Sequence, residues 1–125
     1  MKKILITARA HEYLQQSLQK NGYVPLYKPH ITYEEALDEM HEVEGLVVTT
    51  RIKVDKKLLD RAHSLKWIGR LGSGLELIDV AYAQSKGIKC YSSPEGNCDA
   101  VAEHALGMLL SLMNKINTAH AEVKN

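Results

Sequence analysis

The chain has 125 residues, of which 16 are lysine or arginine and 15 are aspartate or glutamate, so its formal net charge is +1 at pH 7. This length allows one domain with a real core, and the near-zero charge does not indicate a nucleic-acid or anionic-membrane partner. No stretch reaches the roughly 18 apolar residues of a membrane span, and the N-terminal apolar run is too short for a signal peptide. We therefore predict a cytoplasmic protein whose ligand is a small molecule.

The first part of the chain predicts strands and helices in alternation, namely a strand at 3–7, a helix at 9–22, a strand at 23–27 and a helix from 33 to about 41. Pro25 lacks a backbone donor, so the second strand is expected at an edge of the sheet. Thr32 and Glu35 form the sequence pattern of a capping box at the start of the second helix. This alternation is typical of an α/β protein.

The pattern continues with a strand at 45–50, a helix at 56–63, a strand at 65–69, a helix at 80–87 and a strand at 88–91. Asp55 and Asp79 stand where N-caps are expected. Because the strands are apolar on both faces, we predict a five-stranded parallel sheet with helices on both faces. A flavodoxin-like order 2-1-3-4-5 places the strand with Pro25 at the edge.

The last predicted helix, residues 101–116, is apolar almost all round, whereas a surface helix has one apolar stripe. We expect the sheet to cover one of its sides and a further lobe or a second subunit to cover another. On this basis the chain is predicted to be the front piece of a larger protein.

Ligands of such sheets bind at the carboxyl ends of the strands, and a glycine cluster follows the fourth strand there. Gly69, Gly72 and Gly74 do not match the G-x-G-x-x-G fingerprint of a dinucleotide loop. The cluster is either a simple turn or a nest in which the amides of Ser73 and Gly74 bind an anion. Gly74 is expected to have a backbone geometry that only glycine reaches easily.

The third strand ends in Thr49, Thr50 and Arg51, which offer two hydroxyls and a guanidinium to a carboxylate or phosphate. The alternative is a solvated loop arginine, and Arg70 is open to the same two interpretations. His104, beside Glu103, is expected to be hydrogen-bonded at a packed helix end, and the other histidines are expected to be solvated. The cysteines fit neither a metal site nor a disulfide framework, and no metal is predicted.

The loops after the first and third strands exclude two other functions of flavodoxin-like proteins. A receiver domain needs aspartates after strands one and three, where this chain has Thr7-Ala8 and Thr49-Thr50. A flavin mononucleotide site needs a glycine-rich phosphate loop after strand one, and "TARAHEY" contains no glycine.

Taken together, "GRLGSG" followed by Ile78-Asp79, then "KGI", "SPEGN" and "AVAEHALGMLL", resemble the NAD-dependent D-isomer-specific 2-hydroxyacid dehydrogenases, and most closely the D-3-phosphoglycerate branch. The resemblance covers the whole chain. It implies that residues 1–98 are the N-terminal portion of a substrate-binding domain, and that 99–125 form a long interdomain helix leading to a nucleotide-binding domain outside this chain.

The resemblance also implies roles for particular residues. It assigns substrate binding to Thr50, Arg51, Gly72, Ser73 and Gly74, and implies that the amides at 73 and 74 bind the substrate carboxylate. It places Asn97, Val101 and Glu103 close to the cofactor. The residues with catalytic roles in the family lie outside this chain.

The implied activity is hydride transfer between NAD, bound mainly by the other domain, and a 2-hydroxy or 2-keto acid, in an enzyme expected to be a homodimer. A non-catalytic corepressor-like or regulatory binding module of the same fold is the alternative. Two positions depart from the family pattern, because Glu76-Leu77 replaces its usual Asp-Asn and Thr49 stands where the branch often has arginine.

Overall fold

The computed structural model describes residues 1–125, which divide into one unit at Met1–Ser93 and another at Pro94–Asn125. The strands are β1 (Lys2–Ile6), β2 (Tyr23–Tyr27), β3 (Val43–Val48), β4 (Trp67–Arg70) and β5 (Lys89–Tyr91). The helices are α1 (Glu12–Lys20), α2 (Tyr33–Glu39), α3 (Lys56–Arg61), α4 (Val80–Ser85), α5 (Cys98–Met113) and α6 (Ile116–Lys124). Short 3-10 turns occupy Met40–Glu42 and Pro94–Gly96.

The first unit is a five-stranded parallel sheet in the order β2-β1-β3-β4-β5. The predicted α/β fold, its strand order and the edge position of the strand with Pro25 are therefore confirmed. Strand β3 begins at Val43, two residues before the predicted start. The sheet explains the apolar runs, because its central strands are buried on both faces.

Core side chains fill both sides of this sheet. On one face Leu5, Leu46 and Ile68 pack in a cluster with apolar residues of α2, α3 and α4. On the other face Ile4, Ile6 and Val47 pack with Leu14 and Leu18 of α1. The three central strands are thus held from both sides, which fixes the positions of their ends.

Local side-chain caps start three of the helices where the sequence predicts them. Thr32 and Glu35 form a complete capping box on α2. Asp55 accepts from the Leu58 N–H at 3.0 Å, and Asp79 accepts from the Tyr82 N–H at 3.1 Å. Each cap satisfies N–H groups that the first helical turn leaves without a partner.

The indole ring of Trp67 explains why two positions of the sheet are glycines. Gly45 pairs with Trp67 across β3 and β4. A Cβ at Gly45 would lie 2.5 Å from Cε2 of the indole, and one at Gly69 would lie 3.3 Å from Cζ3. The first glycine of the predicted anion loop therefore makes room for an indole ring.

The long helix of the C-terminal unit is shorter than predicted. Helix α5 ends at Met113 rather than at Ile116, because Asn114 caps it and Lys115 adopts a left-handed conformation (φ 49°) before α6 starts. Within its own unit α5 has no buried residue, and its expected cover stays a prediction. No helix of the structure has the length and apolar character needed to cross a membrane.

The Tyr33 hydroxyl donates to Oδ1 of Asp55 at 2.7 Å and so joins α2 to the start of α3. Burial, and after it the bond to Asp55, raises the pKa of Tyr33 to about 12. Although burial alone would raise it, the pKa of Asp55 is lowered because the Tyr33 hydroxyl and the Leu58 N–H stabilise the carboxylate. This pair anchors the segment that follows the third strand.

Replacing Gly45 by alanine should destabilise the first unit by about 1 to 3 kcal/mol, because the new methyl group overlaps the Trp67 indole. Urea denaturation followed by tryptophan fluorescence measures this. Gly107→Ala is the matched control, since no atom lies within 4 Å of a Cβ there. Equal midpoints for the two variants would contradict the packing described for Trp67.

Removing the Tyr33 hydroxyl with Tyr33→Phe should raise the pKa of Asp55 toward its ordinary value, because one donor to the carboxylate is lost. The folded-state pKa of Asp55 is depressed, so its stabilising contribution is present above the unfolded pKa of about 3.9 and is lost as pH falls through the folded value. An NMR titration of the Asp55 carboxyl carbon measures the shift. Tyr13→Phe, at an exposed tyrosine, should leave it unchanged, and equal titrations in both variants would count against the pair.

Candidate anion-binding site at the strand ends

Parallel strands bring their carboxyl ends to one edge of the sheet, which is where ligands of such sheets bind. At this edge Val48 ends β3 and Arg70 ends the neighbouring β4. The loops that follow contain the two sets of predicted substrate-binding residues, Thr50 with Arg51 and Gly72 with Ser73 and Gly74. Both sets belong to the first unit.

The loop after β4 is anchored at its start and leaves its later amides free. Leu71 donates to the carbonyl of Val48 at 2.9 Å, and the carbonyl of Gly72 accepts from Ser93 at 2.8 Å. From Ser73 to Leu77, by contrast, no backbone N–H has an acceptor within the chain. Ser73 is exposed and Gly74 half-buried. The loop therefore offers consecutive donors, as an anion-binding nest requires.

Arg70 braces this loop from inside. Its side chain is only 13% exposed, and Nη1 donates to the carbonyl of Gly74 and lies 3.4 Å from the Glu76 carboxylate. The Nε atom is buried and has no acceptor. Of the two interpretations left open by the sequence, the solvated loop arginine is thus excluded for Arg70.

The buried Nε of Arg70 has no hydrogen-bond acceptor, which reduces the stability of the fold. A buried donor without a partner costs about 1 to 3 kcal/mol. The Arg70 guanidinium puts a positive charge close to the free amides, and the Glu76 carboxylate, 3.4 Å from it, partly offsets that charge. The loop after β4 therefore combines free amide donors with a nearby guanidinium.

The structure gives a different reason for the glycines at 72 and 74 from the one predicted. Neither Gly72 nor Gly74 has a positive φ, so the expected glycine-only backbone geometry at Gly74 is wrong. A Cβ at Gly72 would lie 3.3 Å from Cζ of Arg70, and one at Gly74 would collide with the Glu76 carboxylate. In this structure the two glycines leave space for these two charged side chains.

Arg51 is fixed by backbone carbonyls on neighbouring loops. Its Nη1 donates to the carbonyl of Pro29 and lies 3.4 Å from that of Thr7. Arg51 and Thr50 are both exposed, and neither makes a hydrogen bond with the loop at 72–74. Arg51 therefore faces the ends of β1 and β2 rather than the nest.

The predicted cofactor-proximal residues lie in the second unit. Asn97 stands at the N-cap of α5 but makes no side-chain cap bond there. Val101 is 59% exposed, and Glu103 and His104 are exposed as well. The His104 side chain takes part in no hydrogen bond of its own unit, and its expected packing at a helix end stays a prediction.

Residues 4–124 match the family described as D-isomer specific 2-hydroxyacid dehydrogenase, catalytic domain. The chain belongs to this family. The D-3-phosphoglycerate dehydrogenase of Archaeoglobus fulgidus is 34% identical over 122 residues, which is 98% of this chain and 23% of that protein. Thus the chain spans about a quarter of the length of the curated relatives it matches.

Solved structures agree on the fold of this dehydrogenase domain. A Pyrococcus horikoshii protein superposes with a TM-score of 0.89 at 23% identity, covering 99% of this chain and 37% of the other. The D-lactate dehydrogenase of Aquifex aeolicus, complexed with NAD and lactic acid, superposes with a TM-score of 0.78 at 23% identity, covering 98% of this chain and 37% of the other.

The loops after β1 and β4 do not fit the pyrophosphate of a dinucleotide. The glycines at 69, 72 and 74 are spaced differently from the G-x-G-x-x-G fingerprint, and their loop does not open directly into a helix, because α4 starts only at Val80. The loop after β1 contains no glycine. Any dinucleotide would thus need residues other than these for its phosphates.

Glu76 places a negative charge beside the free amides of Ser73 and Gly74. We expect Glu76→Gln to tighten the binding of small carboxylates by roughly threefold to tenfold, because a like charge next to an anion site is removed. Affinity for D-lactate, measured by NMR titration of the chain, gives the change. Glu12→Gln, on α1, is the control. A lower affinity in Glu76→Gln would contradict the claim that the Glu76 charge opposes anion binding at these amides.

Proposed function

We propose that this chain is the substrate-binding portion of an oxidoreductase that transfers a hydride between NAD and a D-2-hydroxy acid. The observation that carries the proposal is the run of free amides at Ser73 and Gly74, in the loop at the carboxyl end of β4 that Arg70 braces. Membership of the dehydrogenase family and the phosphoglycerate dehydrogenases among its relatives support it.

In this proposal the chain binds and orients the substrate. The N–H groups of Ser73 and Gly74 donate to the substrate carboxylate, and each such charge-assisted bond contributes about 1.5 to 3 kcal/mol. Holding the carboxylate fixes the position of carbon 2 next to it, and the gain in rate comes from that orientation. The hydride and the hydroxyl proton leave the substrate toward groups outside this chain, and the product is the 2-keto acid.

The finer assignments belong to the same proposal. Residues 1–98 form the N-terminal portion of the substrate-binding domain, and 99–125 lead to the domain that binds NAD. Asn97, Val101 and Glu103 then lie near the cofactor in a homodimeric enzyme. Thr50 and Arg51 favour a substrate with a phosphate, such as 3-phosphoglycerate.

The proposal is tested by assaying the product of the complete reading frame with NAD and a panel of D-2-hydroxy acids. Gly74→Val should lower kcat/KM by roughly two to four orders of magnitude, because its branched side chain blocks the two amides. Ser73→Ala should have little effect, since the proposed donor is an amide and not the hydroxyl. The 125-residue chain alone should give no NAD-dependent turnover.

Two results would contradict this function. One is a folded full-length protein that oxidises no D-2-hydroxy acid and reduces no 2-keto acid. The other is an equal loss from Ser73→Ala and Gly74→Val with folding intact, which would make the hydroxyl the binding group. Circular dichroism of each variant provides the folding control.

A further inference from the structure

Two exposed histidines from separate segments meet at the amino edge of the sheet, opposite the loop after β4. His41 lies in the 3-10 turn just before β3, and His63 lies between the end of α3 and the start of β4. Their imidazole rings are stacked, with 6.0 Å between the ring centroids and 27° between the ring planes. The two residues are far apart in the sequence, so the fold alone brings them together.

The core fixes the backbone beside this pair. Met40, directly before His41, is fully buried, and Ala62, directly before His63, is 6% exposed. Both belong to the larger apolar cluster of the sheet. The Ser64 hydroxyl also donates to the carbonyl of His41 at 3.4 Å and joins the two segments. Packed residues, and not flexible chain, therefore set the distance between the two imidazoles.

The ring nitrogens of both histidines are free to bind a ligand. Neither imidazole takes part in a hydrogen bond or an ion pair, since His41 contributes only its backbone carbonyl to the bond with Ser64. Imidazole nitrogen is a ligand that suits Zn²⁺, Cu²⁺ and Ni²⁺, whereas Mg²⁺ and Ca²⁺ prefer oxygen. The pair therefore offers two donors of the kind that a divalent transition metal prefers.

The spacing of the rings is close to that of two imidazoles on one metal ion. A Zn–N bond of about 2.1 Å, extended by the roughly 1.2 Å from nitrogen to ring centre, places the ion about 3.3 Å from each centroid. At a tetrahedral angle the two centroids are then about 5.4 Å apart, against 6.0 Å in the structure. The rings need to turn so that their lone pairs converge, and exposed side chains make such turns within nanoseconds.

The charges beside His41 favour a cation. His41 lines a depression of about 270 Å³ together with Asp38, Glu39 and Glu42. Two of these carboxylates pair with lysines, and the third, Asp38, is exposed and has no counter-ion. Its negative charge attracts a cation at the neighbouring imidazole, because unscreened charges interact over about 10 Å at 0.1 M salt.

We propose that His41 and His63 form a binding site for a divalent transition-metal ion, which links the turn before β3 to the end of α3. The two imidazoles supply two ligands, and water fills the remaining positions, because no third histidine, cysteine or carboxylate forms a ligand group with them. A ligand that binds the folded chain alone stabilises it, so the ion raises the stability of the first unit. The site is separate from the proposed hydride transfer, which depends on the opposite edge of the sheet.

Zinc titration of the chain, followed by NMR of the histidine side chains, tests the site. Zn²⁺ should shift the imidazole signals of His41 and His63 together, with one ion per chain, and Mg²⁺ should leave them in place. His41→Asn and His63→Asn should each weaken zinc binding roughly tenfold or more, because each removes one of the two protein ligands. His30→Asn is the matched control, since it removes another exposed histidine, and it should leave the affinity unchanged.

Urea denaturation tests the link between the two segments. Zn²⁺ should raise the midpoint of the unmodified chain and of His30→Asn, and should leave those of His41→Asn and His63→Asn unchanged. Because both histidines are exposed, the variants should keep the fold, which circular dichroism without metal checks.

Three results would overturn the inference. The first is an equal zinc affinity in His41→Asn, His63→Asn and His30→Asn. The second is a loss confined to His41→Asn, which would place the ion on His41 and the carboxylates of the neighbouring depression. The third is an equal effect of Zn²⁺ and Mg²⁺ on the urea midpoint.

Discussion

The Arg70 guanidinium is the interaction on which the candidate site depends. It lies at the last position of β4, is largely buried, and donates to the carbonyl of Gly74. This bond closes the loop in between. Backbone hydrogen bonds of Leu71 and Gly72 anchor the start of the loop, and the Arg70 bond fixes it further along, at Gly74.

The packing of the sheet holds the strand that carries Arg70 in place. Trp67 packs against Gly45 and Gly69 and fixes β4 against β3, and clusters on both faces bury the central strands. Because all five strands are parallel, their carboxyl ends lie at one edge of the sheet, and the packing fixes the strand ends at that edge. The loop after β4 is thereby held on a well-packed scaffold.

Much of the fold could be predicted because its signals are local. The caps at Thr32, Asp55 and Asp79 and the edge position of Pro25 depend on residue type within a few positions. The break at Asn114 and Lys115 was missed, because no glycine or proline marks it and a continuous apolar pattern runs through it.

The site was predictable only in outline. Its location at the glycine loop follows from strand order, but the internal brace of Arg70 and the turn of Arg51 toward Pro29 depend on contacts between distant segments. Gly69 and Gly74 looked alike in the sequence. One makes room for an indole ring and the other for a carboxylate, a difference that only packing reveals.

The most direct test of the account is whether a lone carboxylate is held by the loop after β4. The amide signals of Ser73 and Gly74 should shift on titration of the chain with D-lactate, and should stay in place with (R)-propane-1,2-diol, which has the same shape without the carboxylate. Shifts confined to other residues, or equal shifts with the neutral diol, would contradict the account.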